Sequence, residues 1–257
     1  MNTDINSFVQ ALDGLSSSLK YSVLLPSTQK QLTFKQLNTY QFNKIITSTK
    51  STTKILTDIL QENLVEQDVL IKNINIFDFA HILLLTKKHC IVDEIQLLFT
   101  DEEIEEYNLE DTYKQTITEF LELKKNILPI PPLTCQSDDI TVVCSLPTVE
   151  REIETRIPDN VDVESEKYIE ELFLMSVVKY INTINIQNTN SIIFDNIDLQ
   201  SRVAILQRLP ANTIKTIINT IEKLKTPITD FLTIDIKNPD GLIFTKEISL
   251  SREFFGF

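Results

Sequence analysis

Three glycines serve a chain of 257 residues. Glycine is the residue that takes positive φ without steric cost, and the tightest hairpin turns depend on it. So few of them restrict the number of such turns and favour a chain built mainly of helices. The hydrophobic fraction is 42% and the charged fraction 24%, a globular composition. At this length the chain can bury a sizeable core, as one large domain or two small ones.

Helical spacing recurs along the chain. Phe42, Ile45, Ile46 and Thr49 fall at i, i+3, i+4 and i+7, and Ile55, Leu56, Ile59 and Leu60 repeat the stripe with Thr52 and Thr53 as caps. Residues 76–85 are apolar nearly all round, which predicts a central buried helix. Lys87, Lys88 and His89 sit at its C-terminal end, where cations complement the helix dipole. Tyr113, Ile117, Phe120 and Leu121 predict a further helix. In the second half, 164–181 reads as a long helix striped by Ile169, Leu172, Phe173 and Val177. A helix at 199–209 is ended by Pro210, and Ile214, Ile217, Ile218, Ile221 and Leu224 form the cleanest stripe, capped by Asn212. The expected core is Phe79, Ile82, Leu83, Ile217, Ile218 and Ile221.

Strands are fewer. Residues 21–25 and 31–35 predict a hairpin around Pro26-Ser27-Thr28-Gln29. Residues 140–146 alternate, with Val142 and Cys144 on one face, and 233–237 and 242–250 are joined by the turn Asn238-Pro239-Asp240-Gly241. Val149, Ile153 and Ile157 suit a helix, but Val149, Arg151, Ile153, Thr155 and Ile157 also alternate, so helix and strand both stay open there. The expected class is α+β, predominantly helical: a helical body with small antiparallel hairpins near the N-terminus, middle and C-terminus. An N-terminal arm (1–20) carries Phe8, Val9, Leu12 and Leu15. A hairpin and helical region (21–128) and a strand, helical region and terminal hairpin (129–257) follow, as two parts or one continuous domain. Pro129, Pro131 and Pro132 mark the linker.

The chemistry is notable for what it excludes. A net charge of −13 opposes general nucleic-acid binding, which needs clustered Lys and Arg. Cys90, Cys135 and Cys144 make no C-x-x-C pair, consistent with buried thiols in a reducing compartment. No secretory leader and no membrane span is expected. His81, His89 and Cys90 lack the partners of a tetrahedral metal set. The glycine motifs of phosphate loops and the elbow of hydrolase nucleophiles are absent. Acidic groups do occur, at Asp101, Glu102, Glu103, Glu105 and Glu106 and at Glu150, Glu152 and Glu154. Paired carboxylates of that kind could bind a cation or cleave a glycan, although the first group also has the form of a helix start. No catalytic residue, metal or cofactor is expected. The closing aromatics Phe254, Phe255 and Phe257 must dock, either onto the chain's own hairpin or onto a partner.

Three pieces in order carry a resemblance. They are Leu24-Leu25-Pro26-Ser27-Thr28 through Phe34-Lys35, then residues 140–148 ending Leu146-Pro147-Thr148, then Phe231 through the double phenylalanine Phe254-Phe255. Together these resemble the baseplate hub subunit and hub assembly proteins of T-even-like contractile-tailed phages. Gln29 stands where many of those proteins have glycine, and the cysteine pairs some carry in the closing segment are missing, so no zinc is expected. The resemblance implies a structural or assembly component of a tail baseplate hub, acting by contact with other hub or wedge proteins, with self-association open. It also implies residence in the host cytoplasm during assembly, and in the tail baseplate if the chain is a permanent subunit. Leu25, Pro26, Phe34, Phe254, Phe255 and Phe257 are the expected partner-binding residues. A cell-wall glycan hydrolase using the acidic groups, or a phage regulatory binding module, are the alternatives.

Overall fold

The computed structural model describes residues 7, 14, 18–48, 51–125, 129–156, 166–189 and 191–255. The apolar patch of the N-terminal arm, Thr49, Ile157 and Phe257 lie outside them. The fold is mixed α+β, with helices and antiparallel sheets. The chain divides into two compact units. The first combines Met1–Ile71, Phe77–Leu128 and Thr229–Phe257; the second combines Lys72–Ile76 with Pro129–Ile228.

In chain order, β1 (Lys20–Leu24) and β2 (Gln31–Lys35) lead into α1 (Thr39–Thr47), α2 (Thr52–Asn63) and α3 (Ile76–Cys90). Next come β3 (Ile95–Leu98), α4 (Asp101–Tyr107), β4 (Thr112–Gln115) and α5 (Ile117–Leu123). β5 (Leu133–Ser137), β6 (Ile140–Cys144), α6 (Val149–Glu154) and α7 (Glu166–Val178) follow. After them come β7 (Ile181–Ile186), β8 (Ile192–Ile193), α8 (Leu199–Leu206) and α9 (Ala211–Leu232). The chain closes with β9 (Thr233–Lys237), β10 (Ile243–Glu247) and α10 (Arg252–Phe255).

In the first unit, β1 and β2 pair antiparallel, Tyr21 opposite Phe34 and Val23 opposite Leu32. All four are buried on one face, the alternation that a period of two imposes. The turn closes by Gln29 N–H donating to the Leu25 carbonyl, 2.9 Å, with Gln29 at φ 56. α1 starts in a capping box between Asn38 and Gln41. Its buried face differs from the expected stripe, because Gln41 and Ile45 are inside while Ile46 is exposed. Gln41 and Asn63 exchange side-chain amide hydrogen bonds of 3.2 and 3.0 Å, which satisfies both buried amides and fixes the rotation of α1. α2 buries Ile55, Leu56, Ile59 and Leu60, and α3 buries Phe77, Phe79, Ala80, Ile82, Leu83 and Leu84.

Tyr113 does not belong to a helix; it lies in β4, opposite Leu97 of β3. Thr116 caps α5 with Glu119 as its box partner, so helix geometry begins only after Tyr113. Phe231 packs edge-on against Phe77 at 5.2 Å and beside Phe120 at 5.9 Å. The β9–β10 hairpin turns through Gly241 at φ 86, a conformation that costs glycine nothing. Its second strand is Ile243–Glu247, shorter than the expected 242–250.

The second unit holds a four-stranded antiparallel sheet, β5-β6-β7-β8, where a small middle hairpin was expected and only 140–146 was assigned to a strand. α7 stops at Val178, and Tyr180 turns the chain: its N–H donates to Val177 O and its carbonyl accepts from Ser145 N–H. Ile181 therefore opens a strand and does not end a helix. At 149–154 the choice falls to helix, capped by the Thr148 side chain accepting from Arg151 N–H. α8 ends at Leu206, before the expected Leu209. α9 begins at Ala211, so Asn212 lies inside its first turn and does not cap it. Ile217, Ile221 and Leu224 are buried with Thr213 and Thr220. Ile218 is only half-buried, a correction to the expected core.

Candidate interaction surface

The first hairpin and the closing aromatics are both fixed on α3. At its first turn, buried Asp78 accepts from Ser27 N–H at 2.9 Å and from the Ser27 hydroxyl. The Pro26-Ser27-Thr28-Gln29 turn is thus tied to a helix start, where a carboxylate also suits the dipole. At the other end Tyr21 and Thr86 share a hydrogen bond of 2.8 Å, and the Tyr21 ring stacks on Phe34 and His89. Burial pushes the Tyr21 hydroxyl well above the usual phenol range, so it stays neutral. Gln36 Nε2 donates to the His89 carbonyl at 3.0 Å, and Leu37 N–H to Cys90 Sγ at 3.4 Å.

The C-terminal aromatics arrive at the same helix. The Lys87 ammonium lies over the Phe254 ring at 4.4 Å, a cation–π contact. Burial lowers the Lys87 pKa. Phe254 and Phe255 meet edge to face at 5.2 Å, and α10 packs against α1. Phe254 is 8% exposed and Phe255 0%, so these rings fold back onto the chain itself. Leu25 and Phe34 are buried as well. Of the expected partner-binding side chains, then, Leu25, Phe34, Phe254 and Phe255 are taken up by the core of the first unit. Pro26 is half-buried at the hairpin turn, and Phe257 lies outside the described residues.

Four carboxylates of the acidic groups, Glu103, Glu150, Glu152 and Glu154, are engaged by cations. Thr100 and Glu103 cap α4 reciprocally. Lys246 reaches both Glu103 oxygens at 3.0 and 2.7 Å, and this contact holds the carboxyl below its usual pKa. On α6, Glu150 pairs with Lys72 at 2.7 Å, Glu152 with Lys179 at 2.7 Å and Glu154 with Arg202 at 3.2 Å. Between them buried Arg151 binds Asp195 and donates to the Lys179 and Ile181 carbonyls at 3.1 and 3.0 Å. Glycan cleavage needs two carboxylates facing one cleft, one of them held protonated; the Lys246 ammonium drives Glu103 the other way. Among the described residues no group of three or more His, Cys, Asp or Glu is placed to hold a metal ion. His81, against Phe231, is lowered to about 4 by burial, and the Cys144 thiol is pushed up to about 12 by the same cause. An imidazole and a thiol so shifted are neutral and poorly nucleophilic near neutrality.

What the second unit does leave open is one face of α7. Leu174, Val177 and Val178 point inward and are buried. Ile169, Leu172 and Phe173, at i, i+3 and i+4, are 59%, 40% and 43% exposed. The sequence places Ile169, Leu172, Phe173 and Val177 on one stripe, but the structure divides them between two faces. The signal was present: seven apolar residues from Ile169 to Val178 are too many for one face of a helix, and a helix apolar on more than one face is ordinarily covered on more than one. Glu170, three residues before Phe173 and so its neighbour on the helix, stands exposed beside this face. Among the described residues no helix is long and apolar enough to cross a membrane. No protein-family model matches the chain, and neither a curated protein nor a solved structure is significantly similar to it.

Proposed function

We propose that the chain is a structural or assembly component of a contractile-tail baseplate hub: a helix-rich body edged by small hairpins near its N-terminal, middle and C-terminal parts, working by protein–protein contact and not by catalysis. The observation that carries the contact reading is the uncovered apolar face of α7, Ile169, Leu172 and Phe173. Three large apolar side chains at helical spacing form the kind of surface that marks interaction sites. The hub assignment draws on the resemblance of the opening and closing segments. Gln29 supports it, since it stands where many of the resembled proteins have glycine and takes the left-handed φ that favours glycine. The glycan-hydrolase alternative has no comparable support, because Glu103, Glu150, Glu152 and Glu154 each hold a cation.

The test is isolation of the tagged chain from cells producing contractile-tail particles, with mass spectrometry of the proteins that accompany it and of the purified particles. Hub or wedge proteins in the first sample support the reading. Presence or absence in the particles distinguishes a permanent subunit from an assembly factor. A clean chain with no tail protein attached, or accompanied only by host enzymes, overturns it.

A further inference from the structure

We infer that the exposed face of α7 seats a basic amphipathic helix of a different protein. The inference deepens the assembly reading and rests on its claim that the chain works by protein contact. Three observations lead to it. First, the exposed side chains Ile169, Leu172 and Phe173 repeat the i, i+3, i+4 pattern by which one helix lays its apolar stripe along another. The opposite side of α7 already has its own buried set in Leu174, Val177 and Val178, so the exposed set is surplus to the fold of its unit.

Second, the charge beside that face is negative. Glu170, at the edge of the face, and Glu171, farther round the helix, are exposed. Of the cations in this unit, Lys179 is committed to Glu152, Arg151 to Asp195 and Arg202 to Glu154. Gln207 donates to Glu170 at 3.4 Å, which leaves its charge in place. An incoming helix rimmed by Lys or Arg meets complementary potential and one rimmed by Glu is repelled. Third, the chain as a whole carries −13. A second copy would bring its own Glu170 to the same seam, and its own excess of negative charge, which makes self-association through this face the less favoured occupant.

The test uses the purified full chain and two labelled helical peptides of thirteen residues, the length of α7. Both carry leucine at i, i+3, i+4 and i+7; one has lysine at its remaining positions and the other glutamate. The lysine peptide is expected to bind about tenfold or more tightly than the glutamate peptide, a preference that shrinks as salt is raised. Phe173→Ser is expected to weaken the lysine peptide by about tenfold, as loss of a central aromatic contact does, with thermal unfolding unchanged. Leu98→Ser, at an exposed leucine of the first unit, is expected to leave binding unaltered. Equal binding of the two peptides, no loss in Phe173→Ser, or an equal loss in Leu98→Ser overturns the inference. So does a dimer of the chain alone that Phe173→Ser dissolves, since a second copy would then be the occupant. The assembly reading fails separately, if no tail protein accompanies the wild-type chain; the peptide measurement decides the docking inference in either case.

Discussion

Gln29 holds φ 56, while the other non-glycine residues with positive φ among the described residues are Asn108, Asp138 and Asn188, types whose short polar side chains tolerate that region. Gln29→Gly is therefore expected to raise stability by roughly 0.5–1 kcal/mol, read as a higher urea midpoint, and Gln29→Val to lower it. The exposed bond from Gln29 Nε2 to the Pro26 carbonyl, 3.0 Å, offsets little of that gain. Asp78 presents the opposite case. Its carboxylate answers both the amide and the hydroxyl of Ser27, so Asp78→Ala should cost about 2–3 kcal/mol and Ser27→Ala about 1 kcal/mol. Comparable small losses in both variants would mean that the turn holds itself. His81 makes stability depend on pH. Its folded pKa is about 4 against an ordinary 6.5, with burial as the cause. Above 6.5 it is neutral folded and unfolded and contributes no dependence. As pH falls from 6.5 towards 4 the unfolded chain takes up a proton that the folded chain resists, and stability declines. His81→Leu should flatten the difference between urea midpoints measured at neutral pH and at mildly acidic pH; an unchanged slope would assign the effect elsewhere.

Among the elements, α3 and α9 separate residues that look alike in sequence. Leu83→Ala should cost about 2–5 kcal/mol and Ile217→Ala a similar amount, because both positions are buried; half-buried Ile218 should cost distinctly less. Phe255→Ala should cost about 3–5 kcal/mol, and deletion of 252–257 should lower the melting temperature sharply. A truncated chain that melts like the full one would restore the terminal rings to partner binding. Elements with a one-sided stripe, such as α2, and turns with a chemical signature, such as 238–241, were legible in the sequence. β7 was not, since Ile181 and Ile184 are three apart and continue the spacing of the helix before them. β3 and β4 escaped because each is four residues long, too short for alternation to stand out. The fate of Phe254 and Phe255 was undecidable locally, because the lysine that receives Phe254 is more than half the chain away. The open face of α7 was legible only as an excess of apolar residues, since a stripe in sequence does not say which side meets the core.

At the scale of the molecule, the first unit is assembled from three separate stretches, joined by contacts that no one stretch contains. Phe231 closes on Phe77 and Phe120, Asn238 Nδ2 donates to the Tyr107 carbonyl at 2.6 Å, and Lys246 grips Glu103. Residues 1–128 alone should therefore show no cooperative unfolding, whereas the same fragment mixed with 229–257 should recover it; a cooperative transition in the shorter fragment alone would show that the late stretch is dispensable. That arrangement also sets a clock. A ribosome releasing about 5–20 residues per second delivers Phe231 roughly ten seconds after Phe120. For that interval the aromatic faces of Phe77 and Phe120 lack their partner. The pace of translation, and whatever shelters the nascent chain, then decides how long a sticky surface stays open to its neighbours, a vulnerability that no equilibrium measurement on the finished protein would reveal.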